Sequence, residues 1–201
     1  MDAQTRRRSP QATRAEIIDM AIEVAAEKGA LGFTLDAVVE RLPVSKGALL
    51  HHFPNKQVLL EGMIDHLGQM MVDAVLAEAA RDPEPYGRNA RAYLRTVVND
   101  PVTPRDVSIG RAVLAACAVR APLARRWTMW IAKITADDPT DPVGADDALM
   151  LRLMADGLWM SDLFGTHAVS REQRKALLSF MTPGTQLREA TEAEMGAEVG
   201  A

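Results

Sequence analysis

FTLDAVVERLPVSKGALLHHFPNKQVLL, running from Phe33 to Leu60, packs three short helical segments and two sharp breaks into very little chain. Thr34 is an N-cap residue, and Leu35, Val38, Val39 and Leu42 then share one helical face. Leu42 precedes Pro43, which disfavours the α conformation at Leu42, so the first helix is expected to stop near Arg41. Ser45 caps a second helix, expected from Lys46 to about Phe53, with Leu49 and Phe53 turned inward and Val44 packing before the cap. Lys46, Gly47, Leu50 and His51 fall on the opposite side. Two short helices joined by such a turn are a helix-turn-helix, whose second helix places its N-terminal residues at the base edges of a major groove.

At Val44, Ser45, Lys46, Gly47, Leu49, His52, Phe53 and Lys56 the chain closely resembles the TetR family of transcriptional repressors, whose pattern is V-S-K-G-x-L-Y-x-H-F-x-x-K. The run Ala155 to Gly165, ADGLWMSDLFG, resembles a segment of one subgroup of TetR C-terminal domains and carries the likeness across nearly the whole chain. Two positions depart from the family. Pro43 replaces the usual turn glycine, so the turn must close without a positive φ, and Leu50 replaces a frequent tyrosine, which removes one hydroxyl contact to a phosphate. The resemblance implies a homodimer on a pseudo-palindromic operator of double-stranded DNA, with a small apolar effector bound in the C-terminal domain.

Composition is compatible with that expectation. The 201 residues are 48% hydrophobic and 25% charged, ordinary for a globular protein, and neither a membrane span nor a signal peptide is legible, so a cytoplasmic location is expected. Cys117 has no cysteine partner for a disulfide or zinc site, and no metal or cofactor is expected. The net charge of −4 is unevenly spread. Residues 1–56 hold eight Lys or Arg against seven Asp or Glu, leaving that part at +1 and the remainder at −5. Local phosphate neutralisation, not total charge, sets DNA affinity.

Scarce aromatics and helical periodicity throughout predict an all-α chain of about nine helices, a three-helix DNA-binding domain followed by a C-terminal helical bundle. Residues 1–12, with Arg6 to Arg8, read as a disordered basic arm able to order in a minor groove. The DNA-binding domain is expected over 13–56, opening with a capping box from Thr13 to Glu16 and a buried stripe of Ile17, Ile18, Ala21, Ile22, Val24 and Ala25. The ligand-binding and dimerisation domain is expected over 57–182. Its first helix runs from Lys56 to about Arg81, and Asp137 to Val143 is a loop. A helix from about Asp146 to Phe164 is apolar over much of its circumference and needs cover on two sides. With the helix opened by Ser170 to Gln173 it forms an expected four-helix subunit interface through Leu151, Leu158, Asp162, Leu163, Leu177, Phe180 and Met181. Residues 183–201 read as a disordered tail.

The expected DNA-contacting residues are Thr34, Ser45, Lys46, Gly47, Ala48, Leu50, His51, His52 and Lys56. Lysine at a recognition-helix N-terminus reaches guanine O6 and N7, and a glycine that costs about 1 kcal/mol within a helix is justified by close approach of DNA. The resemblance implies that His52 bonds a phosphate; the adjacent His51 points about 100° away, so the pair is no metal site. Thr34 is equally explained by capping, and Ala48 suits a thymine methyl or nothing. Tyr93, Cys117, Trp127, Trp130, Met150, Met154 and Trp159 are residues of the kinds that line adaptable apolar cavities, and each is equally at home in plain core. No nucleotide-binding loop, nucleophile elbow or metalloprotease motif occurs, so an enzyme is not expected. A helical adaptor that binds only protein is the alternative, and it has no need of the Ser45 to Lys56 pattern.

Overall fold

In the computed structural model the backbone is described over residues 10–99 and 102–181, and side chains over 14–29, 32–99 and 102–179. The elements are α1 (Pro10–Gly32), α2 (Leu35–Val39), α3 (Lys46–His52), α4 (Lys56–Ala79), α5 (Arg88–Asn99), α6 (Pro104–Val119), α7 (Ala121–Thr135), α8 (Pro142–Phe164) and α9 (Arg171–Leu177), closed by a 3-10 turn over Leu178–Met181. The all-α expectation holds, with no strand among the described residues. No single helix among them is long and apolar enough to cross a membrane. The Arg6 to Arg8 arm and the tail from Pro183 lie outside the described residues.

Helix starts follow local chemistry where a cap is present. Thr34 Oγ1 accepts from Ala37 N at 3.1 Å and Ser45 Oγ from Ala48 N at 3.1 Å. Reciprocal capping boxes open α6 at Thr103 with Asp106 and α9 at Ser170 with Gln173. Two starts differ from the sequence reading. Helix α1 begins at Pro10, so Thr13 lies inside it and is not its cap. Helix α8 begins at Pro142, with Asp141 accepting from Gly144 N at 3.0 Å, so the expected loop is shortened from its far end. Both reflect proline's fitness for a first helical turn. Gly29 breaks α1 with φ +65°, a conformation that leaves Phe33 N free to donate to Gly29 O at 3.1 Å.

The chain divides into two compact units, Met1–Asp73 with Val102–Lys133 and Ala74–Pro101 with Ile134–Ala201. The boundary expected after Lys56 therefore falls inside the first unit, because α6 packs along α1 and the first half of α4 contributes to the same core. That core joins the α1 stripe to Phe33, Val38, Leu49, Phe53, Leu59 and Met63. Phe33 and Phe53 are fully buried, each worth about 1.5–3 kcal/mol relative to exposure.

In the second unit α5 lies on α8. Ala90, Leu94 and Val98 meet Ala148, Leu151, Ala155 and Leu158, both series at three- and four-residue spacing, and the alanines let the helices approach closely. Asp82, where α4 has ended, anchors α5: its carboxylate accepts from Arg91 Nε at 2.9 Å and Arg95 Nη1 at 2.7 Å. Arg91 first, with Arg95 adding, holds the Asp82 carboxyl well below the usual carboxylate range. Tyr93 donates to Asp156 Oδ1 at 2.7 Å, and burial, with Asp156 beside it, pushes the phenol above its ordinary value. The outward side of α8 leaves Leu149, Met150, Leu153, Met160 and Phe164 exposed.

Candidate functional site

Helix α3 is held by Leu49 and Phe53, both without exposure, and its Phe53 N–H bonds back to Leu49 O at 2.8 Å. The turn before it closes through Arg41 N to Val38 O and Leu42 N to Val39 O, each 3.2 Å, and every positive φ in the described chain lies at Gly29, Gly87 or Gly165. Pro43 is thereby accommodated without a left-handed residue, as its chemistry required. Helix α2 ends at Val39, two residues before the sequence reading had it, because the last hydrogen bonds before the proline tighten to i→i+3 spacing.

With that anchor set, Ser45, Lys46, Gly47 and His51 are exposed, while Ala48 and His52 are half-buried. Leu50 is half-buried against the first core cluster, and Thr34 is exposed with its hydroxyl engaged as the α2 cap. The His51 and His52 rings meet edge to face with centroids 5.5 Å apart. Lys46 Nζ lies 2.7 Å from Asp36 Oδ1, both side chains more than half exposed. That partner on α2 was not foreseen, although Asp36 stands two residues after a cap where helix electrostatics favour an acid.

Gly47 has helical φ, and a Cβ built there meets nothing closer than Ser45 Oγ at 3.8 Å. The folded chain therefore gives no reason for a glycine at this point. A helix position kept bare toward open space suits close approach of a phosphate backbone.

Lys56 is placed differently from Lys46. Its ammonium donates to Phe33 O at 2.5 Å and sits 5.2 Å from the Phe33 ring centroid. Burial, then the neighbouring Arg120 charge, lowers its pKa. It braces the α1–α2 corner.

The residues expected around an effector are divided between the two units. In the first, Trp130 Nε1 donates to Asp65 Oδ1 at 3.1 Å, Lys133 lies 3.5 Å over the Trp130 ring, and Trp127 and Cys117 are half-buried. Burial raises the Cys117 thiol pKa, as expected of an inert cysteine. In the second, Tyr93 is an α5–α8 strut, Met150 is exposed, Trp159 is half-buried, and Met154 borders a shallow depression with His167 and Gln173. None of the seven lines the well-formed apolar groove of the first unit, which has a volume of about 390 Å³ and runs between α1, α4 and α6. Its walls include Ile22, Phe33, Met63, Ile109, Ala112 and Ala116, with Lys56 and Arg120 as its cations.

Of the residues expected at a subunit interface, Leu151, Leu158 and Leu163 are buried within their own unit. Asp162 pairs with Arg174, its side chain 8% exposed, and Leu177 is half-buried against the α5–α8 core. The Phe180 and Met181 side chains lie outside those described.

An exposed, capped second helix seated by a buried first pair defines a helix-turn-helix nucleic-acid-binding head. Residues 17–63 match the family of bacterial regulatory proteins of the tetR type, and residues 87–183 match the tetracyclin repressor-like C-terminal domain. The chain belongs to the TetR family of DNA-binding transcriptional regulators. Solved structures with the same fold include the multidrug binding protein EbrR complexed with malachite green, at 26% identity and TM-score 0.61 over 83% of this chain and 96% of that one. A TetR-family member from Streptomyces coelicolor A3 shares 24% identity at TM-score 0.63 over 83% and 96% of the two chains. A transcriptional regulator from Rhodococcus sp. Rha1 shares 22% at 0.62 over 88% and 97%. No curated protein matches the chain in sequence.

Proposed function

We propose that this regulator is a cytoplasmic repressor that binds a pseudo-palindromic operator as a homodimer and is released by a small apolar effector. The observation that carries the DNA-reading assignment is the bare, exposed N-terminal turn of α3, where Ser45, Lys46 and Gly47 face solvent and nothing in the fold explains Gly47. Lys46 and His51 reach phosphate or base edges, with Lys46 exchanging Asp36 for DNA on binding.

The dimer face follows from what α8 leaves uncovered. Met150, Leu153, Gly157, Met160 and Phe164 repeat at three and four residues and so share one side, and a Cβ at Gly157 would meet nothing within 4 Å. An apolar stripe with a glycine at its centre suits close packing against the same helix of a second copy. On this reading the interface lies on α8 residues other than Leu151 and Leu158, which are buried within their own unit.

The EbrR complex supports an effector as the signal. Helix α4 runs unbroken from Lys56 to Ala79, about 36 Å at the helical rise, and is the physical route by which a shift at one end moves the other. Release requires the effector to bind the DNA-incompetent spacing more tightly than the competent one. Mobility-shift assays with DNA flanking the protein's own gene test the reading: a specific, effector-sensitive complex is expected. A folded dimer that binds no fragment specifically would favour the protein-binding adaptor instead.

A further inference from the structure

Lys56 and Arg120 both border the groove between α1, α4 and α6, and among the described residues neither has a carboxylate partner. Arg120 Nη1 donates to Gln57 Oε1 at 2.9 Å, which places both cations at the first turn of α4. The positive end of α4 points to the same corner. The C-terminal carbonyls of α6 oppose it there with a fraction of a charge, which two full cations outweigh. Burial first, and then the Arg120 charge, lowers the Lys56 pKa, so an anion seated between the two cations would be attracted by both.

Away from these cations the groove is apolar. Along α4 it extends from Lys56 through Met63 to Leu67, roughly 16 Å at the helical rise, with Ile109 and Ala112 of α6 opposite. Val119 at the groove remains 77% exposed, and the alanines of α6 leave room that a larger side chain would fill. Its volume of about 390 Å³ is in the range of small-ligand sites.

We propose that this groove binds an unbranched aliphatic carboxylate, its head group between Lys56 and Arg120 and its chain along Met63, Ile109 and Ala112. Charge complementarity selects the head, and wall chemistry selects the tail. The site lies within the unit that carries α3, on the frame of Phe33 and α4 that seats the reading helix, and it contains none of the residues first expected around an effector. It gives the effector reading above a chemical class, and the binding itself does not depend on that reading.

The test is calorimetric titration of the full chain with n-decanoate, n-decanol and n-decyltrimethylammonium. Decanoate should bind once per chain, with decanol and the cation weaker by about tenfold or more, the loss of a charge-assisted contact. Arg120→Gln, at an exposed position, should reduce the preference of decanoate over decanol several-fold, with Lys56 remaining, and Ala116→Trp should abolish binding of both. Circular dichroism checks that each variant folds; if Ala116→Trp does not, Ala112→Leu serves as the filling variant. Undetectable decanoate binding, decanol binding as tight, or decanoate affinity unchanged in both Arg120→Gln and the folded filling variant overturns the proposal. DNA binding of ligand-free protein is read separately by mobility shift, so loss of the DNA reading leaves this result standing, and the reverse.

Discussion

Replacing Gly47 by alanine separates stability from function, because the fold and the DNA place opposite demands on that position. In the folded chain the added methyl meets only Ser45 Oγ at 3.8 Å, an ordinary contact, and the backbone is already helical. Glycine costs a helix interior about 0.5–1 kcal/mol relative to alanine, and position 47 is in the first turn of the seven-residue α3, so the gain should lie near the lower figure, about 0.5 kcal/mol. For a chain of this size that raises Tm by about 1–2 °C. On DNA the same methyl stands where a phosphate backbone must approach, and one contact held off costs about 1.4 kcal/mol, or about tenfold in affinity for each reading head. Thermal unfolding and fluorescence anisotropy on a specific DNA fragment measure the two effects on one sample. A more stable variant that binds DNA as tightly as the wild type would refute close approach at Gly47, and a less stable one would refute the assignment of free space around it.

Asp36→Asn releases Lys46 from its carboxylate and removes a negative charge beside the reading helix, so DNA affinity should rise a few-fold with little change in Tm; unchanged affinity at low salt would remove Lys46 from the phosphate-facing surface. Leu153→Glu and Met160→Glu, on the exposed stripe of α8, should give folded monomers in sedimentation, whereas Leu158→Glu, at 4% exposure, should impair folding itself. Persistence of the dimer in both stripe variants would move the interface elsewhere. Asp82→Asn should cost about 3 kcal/mol at neutral pH by leaving Arg91 and Arg95 without their carboxylate. Because the folded Asp82 carboxyl titrates far below its unfolded value near ~3.9, its stabilisation is complete above that value and is lost as pH falls toward the folded pKa. The variant should therefore show a flatter decline of stability below about pH 4, measured by urea unfolding across pH, and an unaltered acid limb would exclude Asp82 as a source of acid sensitivity.

The reading head was legible because its determinants are local. Thr34 and Ser45 cap within three residues, Pro43 fixes the end of α2, and the spacing of Leu49 and Phe53 is enough to assign the inward face. What depended on distant chain was not legible. Leu151 and Leu158 looked as able to face a partner as Leu153 and Met160, and only the packing of α5, with Ala90, Leu94 and Val98, decides which side of α8 is covered. Lys56 belongs to the family pattern by spacing, yet the Phe33 carbonyl, on the other side of the helix-turn-helix, takes its ammonium. The groove was hidden for the same reason: its walls come from α1, α4 and α6, and α6 carries no signal in its own residues that it lies along α1. Trp130, which suggested a cavity by type, has its indole N–H donating to the Asp65 carboxylate.

The central claim is that the exposed turn of α3 reads DNA sequence. Selection from a random duplex library tests it most directly, performed in parallel with the wild type and with a Lys46→Ala, His51→Ala double variant whose dimerisation is unchanged. The account predicts that the wild type enriches a pseudo-palindrome with half-sites roughly one helical turn or a multiple apart, and that the variant loses that motif while retaining weak, salt-sensitive binding. Enrichment of the same motif to the same degree by the variant would contradict it.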